Sequence, residues 1–267
     1  MTSKKGSLWK TSWGRRSALG YQQLAGEMWF FDLLNESDGA YYRYVSAAPN
    51  PFVFANPVPF WWGAVFKGAN TGAMKFACDG VNNGVDGVYT SLAATDSAPA
   101  RAFLANVVSS GLPNASFTSV ELNYLLGQVV AVLFTAVDLG DGNVRIHGYC
   151  DRLYLGYVDV LGYIAQTGVF SLYQTGDFVG SNVHGFVGGT GTPTEAQIDQ
   201  WFADTKANFE IAEIAGMTTD RFSATSVQPL VPAVLPNQVG GGQDLDLTAF
   251  GAPGAASNTL LPAYFNY

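Results

Sequence analysis

Residues 129–137 (V-V-A-V-L-F-T-A-V) constrain this chain more than any other stretch. They are β-branched or apolar almost throughout, so a strand made of them is greasy on both faces rather than on one. Such a strand needs a layer on each side, which excludes a lone sheet open to water and predicts a two-layer sandwich. Asp138-Leu-Gly-Asp-Gly-Asn143 follows with turn chemistry, and residues 144–149 then alternate apolar with polar. Together they predict a β-hairpin.

The rest of the chain repeats the theme of short strands and tight turns. Glycine at 31 residues, 14% aromatic and only 13% charged residues fit an all-β protein better than a helical bundle. Strand patterns fall at 29–34, 40–45, 60–67, 74–78, 88–93, 100–109, 163–173, 177–187 and 208–214. One helix start stands out at Thr192-Pro193-Thr194-Glu195, where Thr192 and Glu195 make a capping box. Ile198, Trp201, Phe202 and Thr205 follow at helical spacing, predicting one short amphipathic helix against the sandwich.

Both ends differ from this body. The first 16 positions hold Lys4, Lys5, Lys10, Arg15 and Arg16 with no acid, among Trp9 and Trp13, so the net charge of -8 divides into +5 there and -13 elsewhere. An acidic body repels nucleic acid, and no specific nucleic-acid partner is expected. From residue 215 on, prolines and glycines crowd a segment with few charges that stays apolar to Tyr267. These features predict an N-terminal arm (1–28), a sandwich (29–214) and an extended C-terminal tail (215–267), with arm and tail docking on neighbouring subunits.

Candidate site residues are few. Trp61 and Trp62 are adjacent in a strand, so one of them faces away from the other, and the outward one is a candidate platform for stacking on a sugar. Asp79, Asn82 and Asp86, with Asn83, lie on a glycine-rich loop whose oxygens fit a calcium ion, although the loop reads first as a hairpin turn. No other cofactor is implied. His147 and His184 read as hydrogen-bonding residues rather than ligands. Cys78 and Cys150 are the only cysteines and are expected as buried thiols. No N-terminal apolar run directs secretion, and no segment approaches the about 20 apolar residues of a membrane span. The expectation is synthesis in a host cytoplasm without a membrane partner.

The order of these signals resembles the laminin-G-like branch of the concanavalin A-like jelly rolls. An early A-Y-Y-R-Y-V strand precedes the aromatic P-F-W-W-G-A-V-F-K-G strand, then the hairpin G-Q-V-V-A-V-L-F-T-A-V-D-L-G-D-G-N-V-R-I-H-G-Y-C-D, and last Phe178, Gly180, Val183, Phe186 and T-P-T-E-A-Q-I. The resemblance spans residues 29–214 and implies a jelly-roll β-sandwich with one helix. It departs from the family at Cys150-Asp151-Arg152, where Asp-Gly or Asn-Gly is usual, and at His184-Gly185, which replaces an acidic pair.

Three functions follow in order of expectation. The first is a non-enzymatic structural component of a multi-copy virion, such as a phage capsid decoration, spike or tail protein, touching its own copies and other virion proteins through residues 1–28 and 215–267. The second is a carbohydrate-binding, lectin-like adhesion module, which the resemblance implies. The third, a glycoside hydrolase, needs two carboxylates about 5–9 Å apart, and the E-x-D-x-E strand of the related glucanases is missing. The nearest acids, Asp32 with Glu36 and Asp138 with Asp141, sit in turn-like contexts. No enzyme is expected.

Overall fold

A computed structural model describes residues 23–32, 41–46, 59–67, 72–77, 89–97, 100–108, 115–119, 129–140, 142–160, 171–174, 182–224, 233–240, 243–250 and 257–266. They form two eight-stranded antiparallel sheets and one helix. The first sheet runs in the order β10 (Leu153–Val160), β9 (Asn143–Cys150), β8 (Val129–Gly140), β3 (Phe60–Lys67), β12 (Asn182–Thr190), β1 (Gln23–Asp32), β16 (Ser257–Asn266), with β13 (Thr218–Ser223) also on β12. The second runs β14 (Val234–Leu235), β15 (Leu245–Phe250), β2 (Tyr41–Ser46), β11 (Ser171–Gln174), β4 (Gly72–Ala77), β5 (Tyr89–Ser97), β6 (Ala100–Val108), β7 (Ala115–Ser119).

β8 is the strand apolar on both faces, and residues 129–136 are all buried. Its even residues share a face with Trp62, which stacks on Phe134 at 4.4 Å and on Phe186 at 6.0 Å. Its odd residues Val129, Ala131 and Leu133 belong to a second buried cluster, with Trp61 and Val65 of β3 and Ile198, Trp201 and Phe202 of the helix α1 (Glu195–Asn208). Trp201 packs against β3 at Gly63, which has no side chain: a Cβ there would stand 2.6 Å from the indole. The indole N–H donates to the Ala212 carbonyl at 2.9 Å.

The helix starts two residues later than the capping pattern predicts. Thr194, not Thr192, is the cap: its hydroxyl accepts from the Gln197 amide at 3.3 Å, and the Gln197 side chain accepts from the Thr194 amide at 2.9 Å. The expected apolar residues are nonetheless buried, because the register of Ile198, Trp201, Phe202 and Thr205 does not depend on where the first turn begins. The strand expected at 208–214 does not form: Phe209 ends α1 in the left-handed region, the chain turns through Ile214 and Met217, and β13 begins only at Thr218.

The C-terminal segment is not an outlying tail. β16 pairs with β1 over ten residues, from Gln23↔Asn266 to Asp32↔Ser257, and β15 pairs with β2 from Leu245↔Ser46 to Phe250↔Tyr41. Ala263 and Phe265 enter the helix-side core beside Met28 and Phe30. The apolar residues that looked like a strap for another subunit therefore cover the chain's own body. The other boundary moves as well, since β1 begins at Gln23 inside the expected arm; residues 1–22 lie outside the described residues.

β12 is shared. β1 meets it at Phe31↔Val183, and β13 takes its edge from Gly185↔Ser223 onward. His184 fills the fork as a buried hydrogen-bonding residue. Its Nδ1 lies 2.6 Å from the Trp29 carbonyl, and its Nε2 lies 3.2 Å from both the Ile211 amide and Glu210 Oε1.

Phe265 tests whether the last strand belongs to the core. Phe265→Ala is expected to lower the unfolding free energy by about 3–5 kcal/mol, read as a lower urea midpoint of the full-length chain. A change of a few tenths would return the segment to the status of an appendage.

Candidate functional site

α1 and the β1–β16 ribbon leave the far side of the first sheet partly uncovered, along β9 and β10. β9 alternates strictly, with Val144, Ile146, Gly148 and Cys150 buried and Asn143, Arg145, His147 and Tyr149 on the outer face. β10 would not normally add two tyrosines to that face, because Tyr154 and Tyr157 are separated by an odd number of residues. The register solves this: Tyr154 opposes Tyr149, Gly156 opposes Gly148 and Tyr157 opposes His147, so Leu155 is an extra, bulged residue. Gly156 supplies the positive φ of 108° that this irregularity requires.

The outcome is one continuous surface. Tyr149 and Tyr154 rings lie 5.2 Å apart, and His147 is 5.9 Å from Tyr154 and 6.0 Å from Tyr157. His147 Nδ1 and the Tyr154 hydroxyl are hydrogen-bonded at 2.9 Å. Arg145 lies over the Tyr157 ring at 4.0 Å and donates twice to Asp159, from Nε at 2.7 Å and from Nη2 at 2.9 Å. Tyr154 is 48% and Tyr157 53% exposed, so the rings present flat apolar area to solvent.

Electrostatically the face is quiet. Partial burial lowers the His147 pKa and the neighbouring Arg145 charge lowers it further, against a smaller opposite pull from Asp159. The imidazole is therefore neutral at pH 7. Burial raises the Tyr149 and Tyr154 hydroxyls above their ordinary value. The hydrogen bond from Arg145 lowers Asp159 and in turn raises Arg145. One cation and one anion thus cancel, beside three aromatic rings and a neutral imidazole.

The hairpin turn that sets this face is itself unusual. Asp151 and Arg152 have φ of 47° and 77°, the two left-handed positions that Asn-Gly fills at lower cost in such turns. Asp151 compensates through its side chain and backbone: Oδ1 accepts from the Ala131 amide at 3.1 Å, and its own amide donates to the Ala131 carbonyl at 2.9 Å. Arg152 reaches Asp199 of α1 at 3.3 Å.

The residues expected to bind ligand are placed differently. Trp61 and Trp62 do point to opposite faces, but both faces are covered: Trp61 is 0% and Trp62 4% exposed, so neither is a stacking platform. Trp61 belongs to the buried cluster that includes Trp201 and Phe202 of α1. Asp79, Asn82 and Asp86, with Cys78, lie outside the described residues, among which no group of three or more His, Cys, Asp or Glu could hold a metal ion. Cys150 is buried. Asp138, one of the acids weighed for hydrolysis, caps its own turn by accepting from the Gly140 amide at 2.7 Å. The tyrosine face escaped the sequence because spacing alone puts Tyr154 and Tyr157 on opposite sides; Gly156 between them was the available signal for a bulge.

His147 reports on this face. Its imidazole is expected to titrate below the ordinary histidine value, and Arg145→Ala should raise the midpoint, since it removes a nearby cation and frees Asp159. An NMR titration of the ring protons checks both, and an unchanged midpoint in the variant would contradict the geometry.

No family model and no curated protein matches the chain. Among solved structures, the native heptameric SAP-like pentraxin from Limulus polyphemus is similar to it, with a TM-score of 0.50 at 12% identity over 83% of this chain and 94% of that one. At that identity the likeness speaks for the fold. With the two antiparallel sheets and the one helix among the described residues, it shows an all-β, concanavalin A-like jelly-roll sandwich.

Proposed function

We propose that this protein is a recognition module without catalytic chemistry of its own, which holds a neutral sugar against the tyrosine face of β9 and β10 and is displayed in many copies on a virion. The carrying observation is the bulge at Leu155, which brings two half-exposed tyrosines into line with Tyr149 and His147. Sugar rings offer an apolar C–H face that stacks on aromatics, while their hydroxyls bond to polar tips such as the tyrosine hydroxyls and Asp159. The cancelled charge of Arg145 and Asp159 favours an uncharged sugar, and the acidic body repels anionic ones.

The multi-copy part of this reading rests on charge segregation: the +5 of the first 16 residues is attracted to the -13 of the remainder on another copy. The similar pentraxin is heptameric, which makes a closed ring of such sandwiches a workable arrangement. Weak single-site sugar binding would then be multiplied by valency. The strands of the apolar C-terminal segment, by contrast, are used within the sandwich.

Screening the full-length chain against a neutral glycan panel, followed by titration with the best ligand, tests the site. Tyr154→Ala and Tyr157→Ala are each expected to weaken binding by about tenfold, equivalent to about 1.4 kcal/mol, with unfolding midpoints close to the parent. Absence of any glycan binding, or binding indifferent to both substitutions, would remove the proposal. Light scattering at low and high salt tests the assembly: oligomers should form at low salt and dissociate as salt screens the arm, whereas a monomer under both conditions would leave a single-copy module.

A further inference from the structure

Lys206 and Asp151 carry a feature that sugar recognition does not use. Lys206 projects from the last turn of α1 into the core, 1% exposed, with its Nζ 5.9 Å from the Phe265 ring centroid. Nζ lies 3.6 Å from Asp151 Oδ1, and the Asp151 side chain is 9% exposed. Oδ1 also accepts the Ala131 amide, while Oδ2 is buried with no hydrogen-bond partner. A buried carboxylate oxygen left bare, on a residue already held at an unfavourable φ, marks a position whose cost an ordinary turn would avoid.

We propose that Lys206 and Asp151 condense to an intramolecular amide, cross-linking α1 to the β9–β10 turn. In the first step Nζ passes one proton to the carboxylate whose Oδ1 it faces, turning a buried ion pair into a neutral amine and a neutral acid. Loss of hydration penalises the charged form of the Asp151 carboxyl, which favours its taking a proton. Burial pushes the Asp151 carboxyl up to about 6 against the opposing pull of the Lys206 charge and the Ala131 amide, so its acid form is readily reached.

The nitrogen lone pair then forms the Nζ–Cγ bond. Negative charge gathers on Oδ1, where the Ala131 amide already points. A second proton moves from Nζ to Oδ2, the Cγ–Oδ2 bond breaks, and water leaves. Ammonium and carboxylate have become amide and water, with no oxidant, reductant or added group. Holding the two groups in contact supplies the effective concentration that free lysine and aspartate lack, and expelling water from a dry site opposes the reverse reaction.

Mass spectrometry of the denatured full-length protein tests this directly. The expected mass is lower than that of the sequence by one water. Trypsin does not cut after an acylated lysine, so residues 146–152 should appear joined to an uncut 153–221 in one branched peptide. Lys206→Arg keeps a cation in place but cannot close the amide, and should restore the full mass. Linear peptides 153–206 and 207–221 of unmodified mass would overturn the proposal. So would a deficit that survives Lys206→Arg, since an Asp-Gly succinimide elsewhere loses the same water.

Discussion

The need to cover a strand that is apolar on both sides organises this molecule. β8 is buried from Val129 to Ala136, and each of its faces has to be shielded. On one side lies the aromatic stack of Trp62, Phe134 and Phe186; on the other lie α1 and the ribbon of β1 and β16. Burial on this scale, at about 25 cal/mol per Å² of apolar surface, dominates any polar contact described above. It also dictates where function can sit. Among the described residues one helix and one ribbon lie on this face of the sheet, and the tyrosines lie on the strip beside them.

The same requirement explains which parts of the architecture could be read from residues alone. The hairpin of β8 and β9, the strand Phe60–Lys67 and the buried helix positions Ile198, Trp201, Phe202 and Thr205 all announce themselves through local periodicity. The last fifty residues do not. Their prolines and glycines interrupt any period, and an apolar segment without a period signals only that something covers it. That cover is β1 and β2, more than 190 residues earlier in the chain, and such a pairing leaves no local trace. Trp61 fails for a related reason: alternation shows that it faces away from Trp62, but not that Trp201 lies nearby, made possible by Gly63.

The tyrosine face was hidden by a smaller effect. One extra residue, Leu155, inverts the facing of everything after it, so Tyr157 and Asp159 join Tyr149 and Arg145 instead of opposing them. β10 is the last strand of its sheet, and β7, the last strand of the second, lies beside it.

Asp151 joins these two halves of the structure. Holding a non-glycine residue at positive φ costs about 1 kcal/mol, and burying its carboxylate adds to that. An Asn-Gly pair would make the turn without either cost. Its return comes from position: the side chain extends the β8–β9 ladder by one bond to Ala131 while meeting Lys206 of α1. The helix that shields β8 and the hairpin that presents the tyrosines are thereby fixed to one another at a single residue. The face that carries the tyrosines keeps its shape only if the turn between β9 and β10 cannot swing, and anchoring that turn to the core restrains it where a glycine turn would leave it loose.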